Sequence, residues 1–312
     1  MITLCSPEEA RLPTALALGS FDGLHEGHRQ VIEKITQAGL GIPSVVSFWP
    51  HPREVLYGEC RLRLDLPEEK AELLGQIGVE QLVLIPFNES LASLKPEEFI
   101  KKVLLQTLKA KRIAVGEDFL FGKNRSGNSN TLKSIANGCG VEVDILKIIK
   151  DTEGRISSSR IRSALGIGDI NKAQILMGRP YKFKGLVVKG RGIGRKIGWP
   201  TANLEVDGRK FLPGIGVYAC WVWLTNQTSP FAAVMNLGPQ PTVDPDSPSA
   251  VEVHLLDEKI DLTGANLIVQ PIKRLRGQTK FLNINELSNQ IGKDAEQARR
   301  LLIGGSSYET KD

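Results

Sequence analysis

Apolar residues in the first half of the chain form short runs that alternate with stretches of helical spacing. Val31, Ile32 and Ile35 recur at the spacing of one helix face, and Pro67 and Pro96 stand where helices are expected to begin, each followed by two glutamates. This alternation of strands and helices predicts a parallel α/β sheet. We predict its strands at residues 15–18, 44–48, 81–86, 112–115 and 141–149.

The pattern changes after Pro180, where strand-like runs are interrupted by glycine and proline. We predict strands at residues 184–188, 217–224, 231–236, 251–256 and 267–272, followed by a helix at 285–302. Short strands with no helices between them are typical of an antiparallel barrel or sandwich. The pattern therefore predicts two domains, an α/β domain at 1–180 and a β domain at 181–312.

The composition is typical of a soluble globular protein with two hydrophobic cores. The chain has 312 residues, of which 41% are hydrophobic and 24% are charged. No apolar run approaches the length of a membrane span and residues 1–13 lack the layout of a secretory signal, so we expect a cytoplasmic protein. The four cysteines are far apart, which favours reduced thiols over disulfides or a zinc site. A net charge of +5 suits nucleic acids and anionic nucleotides equally.

The ten residues Gly19–His28 (GSFDGLHEGH) carry the strongest chemical signal. They lie between a predicted strand and a predicted helix, and they contain His25 and His28, two of only four histidines in the chain. Free N–H groups at a helix start attract anions, and two imidazoles three residues apart can donate hydrogen bonds to the same phosphate. The alternative is an ordinary glycine-rich turn with surface histidines.

Two further segments of the first half have a similar character. Residues 116–122 (GEDFLFG) follow a predicted strand, and residues 156–162 (ISSSRIR) open a predicted helix. Ligands of an open parallel sheet bind outside the carboxyl ends of its strands, and we place all three segments at such ends. The serines can bind phosphate together with Arg162, or they can serve as an N-cap beside a solvated arginine face.

In the second half, glycines alternate with basic residues at 189–198 (KGRGIGRKIG), and the sequence PTAN follows at 200–203. Such a loop can hold a polyphosphate without a Walker motif, which this chain lacks, or it can be a glycine-rich hairpin turn with surface lysines. Thr201 and Asn203 are two residues apart on an extended segment, so both point to one side and offer neutral oxygens to a Mg²⁺-nucleotide. Glu252 and His254 share the polar face of a predicted strand in a similar way.

Taken together, the segments 19–28, 116–122 and 156–162, with FWPHP at 48–52, resemble the adenylyltransferase half of prokaryotic bifunctional riboflavin kinase/FAD synthetases, within the nucleotidyltransferase superfamily. The resemblance implies a Rossmann-like domain in which FMN attacks the α-phosphorus of ATP, FAD forms and pyrophosphate leaves. It implies that His25, His28 and Arg162 act on the phosphates. It assigns nucleotide contacts to Gly19, Ser20, Phe21, Asp22, Gly23, Asp118, Ser157, Ser158 and Ser159, and flavin contacts to Phe48, Pro50, His51, Pro52 and Phe121.

The segments 189–203, 236–242 and 251–257 resemble the riboflavin kinase module, which extends the resemblance over essentially the whole chain. The resemblance implies a β-barrel in which Glu252 is the general base that takes the proton of riboflavin's ribityl hydroxyl during its attack on the γ-phosphorus of ATP. His254 is then structural or a neighbour of the site. Nucleotide contacts are implied for Lys189, Gly190, Gly194, Arg195, Thr201 and Asn203, Mg²⁺ ligands for Thr201 and Asn203, and a flavin contact for Arg276.

Three positions depart from the family pattern. Ser159 stands in place of a threonine, Thr263 in place of a tyrosine and Gln278 in place of a glutamate. The first keeps its hydroxyl, whereas the other two change the flavin side of the kinase module and imply weaker flavin binding or altered inhibition by product. Because Thr201, Asn203 and Glu252 are intact, we expect kinase chemistry to survive.

We therefore predict an enzyme whose substrates and products are riboflavin, FMN, FAD and ATP, with Mg²⁺ as cofactor. We expect no nucleic-acid or membrane partner and a monomer or weak oligomer. Three alternatives are kept: an enzyme that has lost the kinase and only adenylylates FMN, a basic nucleic-acid-binding protein, and a non-catalytic flavin carrier. Aromatic residues make up only 6% of the chain and 189–196 is its one dense basic cluster, which disfavours nucleic-acid binding.

Overall fold

The computed structural model describes residues 2–37, 39–190, 193–225, 227–238, 251–258 and 260–304. The chain forms two compact units, Met1–Ser158 and Ser159–Asp312. Each unit has a sheet of its own, parallel in the first and antiparallel in the second.

The first unit is built on a six-stranded parallel sheet. Its strands are β1 (Thr3–Cys5), β2 (Thr14–Leu18), β3 (Ile42–Trp49), β4 (Gln81–Pro86), β5 (Ala110–Gly116) and β8 (Glu142–Leu146). The helices are α1 (Glu26–Thr36), α2 (Pro52–Tyr57), α3 (Pro67–Gly75), α4 (Glu89–Ala92), α5 (Pro96–Glu98), which continues as a π-helix (Phe99–Thr107), and α6 (Ser129–Asn137). Two short hairpins, β6 (Leu120–Phe121) with β7 (Gly127–Asn128) and β9 (Lys150–Asp151) with β10 (Gly154–Arg155), lie outside the sheet.

The strand order β1-β4-β3-β2-β5-β8 reverses direction at β2. From β2 the chain moves outward to β3 and β4, and then returns to the other side of β2 to form β5. The carboxyl ends of β2 and β5 therefore border the crevice where ligands of open α/β sheets bind. The segments that follow these two strands are 19–28 and 116–122, so the topology brings two of the three predicted segments together.

Helices cover both faces of this sheet, which explains why its central strands are apolar throughout. All five residues of β2 are buried. On one face, Val31, Ile32 and Ile35 of α1 pack into a core with Leu74 of α3. On the other face, the π-helix buries Phe99, Ile100 and Leu104 against a second core. The segment 19–28 thus starts from a fully buried strand.

The second unit is a closed antiparallel barrel with helices outside it. Its strands follow the order β11-β12-β15-β14-β13-β16. Their bounds are β11 (Phe183–Val188), β12 (Ala202–Glu205), β13 (Gly216–Leu224), β14 (Phe231–Leu237), β15 (Val251–Leu255) and β16 (Asn266–Arg276). The helices are α7 (Ser158–Gly166), α8 (Ile170–Met177), α9 (Ile193–Lys196) and α10 (Ile284–Leu302).

The two faces of the barrel wall have different partners. Met235 and Val253 are paired across β14 and β15 and are almost completely buried. Side chains of the alternate face, such as Val234 and Ala219, pack instead against Ala295 and Ala298 of α10. We call this alternate face the outer face. Glu252 pairs with Asn236 and therefore lies on it.

The sequence prediction of fold class is confirmed, since a parallel α/β unit is followed by an antiparallel barrel with a closing helix. The barrel, rather than the sandwich, is the form adopted. Pattern reading missed β1 and β12 because both are short. It also placed 156–162 at the end of a sheet strand, which is wrong, because this segment follows the β9–β10 hairpin.

The compact units divide between Ser158 and Ser159, whereas the sequence pattern changes near residue 180. Helices α7 and α8 pack against the barrel: Gly214 N–H donates to the Leu165 carbonyl, and the Gln174 side chain donates to the Pro271 carbonyl. Apolar residues of these helices are thereby buried with the second unit. The functional boundary at 180 stays a prediction.

Candidate active sites

The histidine pair of the first unit lies at the carboxyl end of β2. His25 is the N-cap of α1, and His28 lies in the first turn of this helix. Their rings stack with centroids 3.6 Å apart and planes 19° apart, and Phe21 contacts His28 edge-on. The Nδ1 atoms of both rings are buried and have no hydrogen-bond partner among the described residues. The two rings thus retain unused hydrogen-bonding atoms beside a helix start.

Burial decides the charge of this pair. It lowers the pKa of His25 to about 4, with further lowering by Arg155 and Arg29. Burial also lowers the pKa of His28 well below its ordinary value, and His25 adds to the effect. Both rings are therefore neutral at pH 7. Neutral imidazoles offer phosphate one N–H donor each rather than a positive charge.

Buried polar groups hold the loop that precedes the histidines. The Asp22 carboxylate accepts hydrogen bonds from the N–H groups of Leu64 and Asp65, and the Asp65 carboxylate accepts one from Gly23 N–H. The buried Lys70 donates from Nζ to the Ser20 carbonyl at 2.6 Å. Asp22 and Gly23 therefore shape the loop that carries the histidines. Lys70 was not identified from the sequence, because a lysine in an ordinary helix pattern gives no signal of burial.

A cavity of about 980 Å³ opens beside this loop. The predicted residues Gly19, Ser20, Phe21, His25, His28, Phe48, His51, Pro52, Asp118 and Phe121 all line it. One part of its wall is aromatic, since the ring centroids of Phe48, Phe99 and Phe121 follow one another at 6.2 and 5.6 Å, and Phe119 stacks on Phe121 at 5.5 Å. A flat aromatic ring system can pack against such a wall.

The segment that carries His51 is held by a helix cap, an ion pair and a cation–π contact. The peptide bond between Trp49 and Pro50 is cis, and His51 is the N-cap of α2, where its Nδ1 accepts from Arg53 N–H. The guanidinium of buried Arg63 lies 5.1 Å from the Trp49 ring centroid and pairs with Glu54 at 2.6 Å. Pro50 does not line the cavity, whereas its neighbours His51 and Pro52 do.

Cations that the sequence did not single out line the same cavity. Arg155, from the β9–β10 hairpin, pairs with Asp118 at 2.6 Å. Arg61, Arg125 and Lys147 are also part of the lining. These residues are scattered along the chain, so only the fold shows that they surround one space. Because the histidines are neutral, the positive charge that can attract nucleotide phosphates comes from these arginine and lysine side chains.

The third predicted segment spans the division between the units. Ser158 donates from its hydroxyl to the Asp22 carbonyl at 2.8 Å, and it thereby contacts the loop before the histidines. Ser157 precedes α7 directly, and Ser159 and Arg162 lie on that helix, within the second unit. Ser158 is predicted to bind the nucleotide, and in the structure its hydroxyl supports the loop that carries the histidines.

A row of polar side chains crosses the outer face of the barrel. Antiparallel pairing aligns Asn203 of β12 with Glu252 of β15, and Glu252 with Asn236 of β14. Directly paired residues present their side chains on the same face, so these three groups are neighbours. Within the described part of the chain, Glu252 forms no ion pair. A carboxylate next to two amide side chains is available to accept a proton.

The glycine-rich loop lies against this row. A Cβ added at Gly190 would lie 2.0 Å from the Asn203 amide nitrogen, and one added at Gly194 would lie 3.1 Å from the Thr201 hydroxyl. The loop backbone therefore approaches the two predicted Mg²⁺ ligands closely. Lys189 and Arg195 are both exposed in the same loop. Residues 191–192 of the loop and 239–242 of the segment beginning at Asn236 lie outside the described residues.

The two remaining predicted residues of this face are tied to structural partners. His254 is buried; its Nδ1 lies 2.7 Å from the Pro200 carbonyl and its ring meets Trp199 edge-on, in agreement with a structural role. Arg276 forms three hydrogen bonds of 2.8 to 3.1 Å with the buried carboxylate of Asp294 on α10. Its guanidinium also lies 5.7 Å from the Phe281 ring centroid.

Within the described residues, no group of three or more His, Cys, Asp or Glu side chains is arranged to hold a metal ion. No helix of the described chain is long and apolar enough to cross a membrane. All four cysteines are free thiols in the structure, Cys5 and Cys220 buried and Cys60 and Cys139 exposed.

Comparison with known proteins decides the family. The FAD synthetase family model matches residues 8–160, and the riboflavin kinase model matches residues 177–302. A bifunctional riboflavin kinase/FMN adenylyltransferase of Bacillus subtilis is 36% identical over 303 residues, which cover 94% of each chain. The enzyme of the same name from Escherichia coli K12 is 35% identical over 91% of each chain. The chain belongs to the bifunctional riboflavin kinase/FMN adenylyltransferases.

A solved structure supports the same fold over the whole length. It is titled a macrolide-efflux protein from Streptococcus pneumoniae, with 31% identity, a TM-score of 0.84, and coverage of 96% of this chain and 99% of that chain. Its title differs from the names of the curated relatives, whereas its fold is that of this riboflavin kinase/FMN adenylyltransferase family member. The match agrees with a transferase built from an FAD synthetase domain and a riboflavin kinase domain, using ATP as co-substrate.

The structure also places the departures of this bifunctional transferase from the family pattern. Thr263 lies in the turn before β16, where its hydroxyl and N–H both donate to the Asp261 carboxylate. Gln278 donates from Nε2 to the Asn236 side chain at 3.1 Å and to the Leu237 carbonyl at 3.3 Å. Gln278 is therefore connected to the polar row that contains Glu252.

Proposed function

We propose that the barrel phosphorylates riboflavin to FMN, with Glu252 as the general base, and that the first unit converts FMN to FAD, with His25 and His28 as phosphate ligands. The observation that carries the proposal is the register of the barrel, which sets Glu252 beside Asn203 beneath the glycine-rich loop. This arrangement puts a proton acceptor next to a predicted nucleotide site. Phosphoryl transfer needs such an acceptor close to the attacking hydroxyl.

In the kinase reaction, the ribityl hydroxyl oxygen attacks the γ-phosphorus of ATP while Glu252 takes its proton, and ADP leaves. The loop around Gly190 and Gly194 brings backbone against the polyphosphate, and Lys189 and Arg195 supply positive charge. Thr201 and Asn203 fit a Mg²⁺-nucleotide, because their oxygens lie under a loop whose glycines leave no Cβ in the way. Mg²⁺ held there would neutralise charge on the phosphates.

In the adenylyl-transfer reaction, the nucleophile is the phosphate of FMN, which is already an anion at neutral pH. No strong base is needed, so catalysis consists of alignment and charge stabilisation. His25 and His28 donate N–H groups to ATP phosphates from the start of α1, and Ser158, Ser159 and Arg162 hold phosphates in the same reaction. The aromatic wall around Phe48 and Phe121 receives the flavin, and pyrophosphate leaves.

We further propose that the functional modules divide near residue 180, so that α7 serves adenylyl transfer although it packs against the barrel. The family models support a division in this region, since one ends at residue 160 and the other begins at 177. A cytoplasmic location, a monomeric or weakly oligomeric state, and the absence of nucleic-acid and membrane partners are retained as predictions.

A chromatographic time course tests the proposal. Purified protein is incubated with riboflavin, ATP and Mg²⁺, and FMN, FAD, ADP and pyrophosphate are measured together. We expect FMN and ADP first, followed by FAD and pyrophosphate. Conversion of added FMN without conversion of riboflavin would indicate a silenced kinase, and flavin binding without turnover would indicate a carrier. Salt-sensitive RNA binding with no ATP turnover would indicate a nucleic-acid-binding protein.

Two substitutions assign the reactions to their sites. Glu252→Gln is expected to abolish FMN formation while FAD is still made from supplied FMN. His28→Ala is expected to abolish FAD synthesis while FMN is still made. Equal loss of both reactions in either variant would contradict separate sites.

A further inference from the structure

Asn236 lies between Glu252 and Gln278 on the outer face of the barrel. It pairs in register with Glu252 of the neighbouring strand, and it accepts a hydrogen bond from Gln278 through Oδ1. Asn236 is thus the one link between the proposed base and the Gln278 side chain that the described contacts provide. The orientation of its amide group determines what it presents to Glu252.

That orientation follows from the second contact of Gln278. The Leu237 carbonyl can only accept a hydrogen bond, so the Gln278 atom that contacts it must be the Nε2 donor. The same Nε2 atom contacts Asn236, which must therefore turn its acceptor Oδ1 toward Gln278. The donor Nδ2 of Asn236 then lies on the opposite side of the amide group.

The strand order defines what lies on that opposite side. β14 runs between β15 and β13, and β16 follows beyond β13. Gln278 comes two residues after the end of β16, so it approaches Asn236 from the β13 side. The Nδ2 group therefore faces β15, where Glu252 lies.

We propose that Asn236 is a positioning residue for the kinase reaction. In the complex with riboflavin and ATP, Asn236 donates a hydrogen bond from Nδ2 to the Glu252 carboxylate, and Gln278 fixes the direction in which Nδ2 points. The hydrogen bond holds one carboxylate oxygen, so that the other is aimed at the ribityl hydroxyl. The inference rests on the proposed role of Glu252. It gives Gln278, one of the departures from the family pattern, a defined function in this chain.

The experiment alters the polarity of the amide by two routes. Asn236→Asp retains an acceptor for Gln278 and places an oxygen beside Glu252, whereas Gln278→Met removes the donor that fixes the direction of the Asn236 amide. In both variants the kcat of riboflavin phosphorylation is expected to fall about tenfold, which is the effect of one misdirected hydrogen bond, with the KM for ATP unchanged. FAD synthesis from added FMN, measured on the same protein, is expected to stay unchanged.

Two further comparisons separate positioning from stability. The effect of Gln278→Met on kcat is expected to disappear in an Asn236→Ala background, because the two residues act through one contact. Gln174→Met serves as the matched control, since Gln174 also donates to a backbone carbonyl of the barrel, that of Pro271, outside the polar row. This control is expected to retain full kinase kcat.

Two results would overturn the inference: unchanged kcat in both Asn236→Asp and Gln278→Met, or additive effects of Gln278→Met and Asn236→Ala. Glu252→Gln, assayed in parallel, distinguishes this failure from failure of the proposed function. If Glu252→Gln is inactive while the polarity variants are normal, only the positioning role is wrong. If Glu252→Gln retains kinase activity, the assignment of the base itself is wrong, and the positioning role with it.

Discussion

The imidazole rings of His25 and His28 stack at 3.6 Å in a buried position at the start of α1. Two positively charged rings would repel each other at this distance, and burial further disfavours their charged forms. The pair is therefore neutral, and the positive charge of the cavity comes from arginine and lysine side chains such as Arg155. The proposed phosphate ligands and the positive charge of the cavity are thus supplied by different residues.

The burial of His25 and His28 predicts that the free energy of unfolding falls at acid pH. The pKa of His25 is lowered from 6.5 to about 4 by burial, so the unfolded chain binds more protons than the folded chain between these values. The stabilisation is complete above pH 6.5 and is lost as the pH falls toward 4, with a loss of roughly 3 kcal/mol for a shift of this size. Urea unfolding from pH 7.5 to 4 measures it.

The control for this pH dependence is the double variant His25→Gln/His28→Gln, which has no titrating ring at the site. Its stability is expected to vary less with pH over this window than that of the unsubstituted protein. The same slope in both proteins would show that other groups cause the acid destabilisation.

Lys70→Met is expected to impair FAD synthesis selectively. The buried Lys70 ammonium group supports the Ser20 carbonyl from within the first unit, and its loss leaves that carbonyl without this donor. We expect kcat/KM for adenylyl transfer to fall about tenfold, with riboflavin phosphorylation unchanged. Lys101→Met, which removes only an exposed partner of Glu97, is the control and is expected to leave both reactions intact.

Gly190→Ala is expected to impair the kinase reaction. The new Cβ would collide with the Asn203 amide at 2.0 Å, so either the loop or Asn203 has to move. Steady-state assays are expected to give a higher KM for ATP and a lower kcat, whereas FAD synthesis is unaffected. Gly198→Ala strains the same loop at a positive φ without such a contact, and an equal effect there would point to loop strain instead.

Asp294→Asn is expected to destabilise the second unit by about 2–4 kcal/mol, because it leaves the partly buried Arg276 without its carboxylate. Urea unfolding measures this loss. The exposed pair of Asp257 and Arg299 provides the comparison, and Asp257→Asn is expected to cost less than about 1 kcal/mol. Equal costs for both variants would contradict the importance of burial at Arg276.

Much of the fold could be predicted because the relevant signals are local. The fully apolar run of β2 indicates a strand buried on both faces, and Pro67 and Pro96 mark helix starts through their own backbone geometry. The strand β12 was missed because four residues, two of them half-buried, carry too little alternation. Its pairing with β15 depends on residues about fifty positions away.

The candidate sites, like the fold, could be predicted only where the signal is local in the sequence. The sequence alone determined the chemistry available, since the residue types and spacing in 19–28 and 189–203 indicate phosphate binding without knowledge of the fold. Only the tertiary structure decided which groups meet: Asn203 with Glu252, Gln278 with Asn236, and Lys70 with Ser20. It also decided that the histidines are neutral, because desolvation depends on the atoms packed around a group. Contacts and burial of this kind arise from the closure of the sheet and barrel, which no local pattern contains.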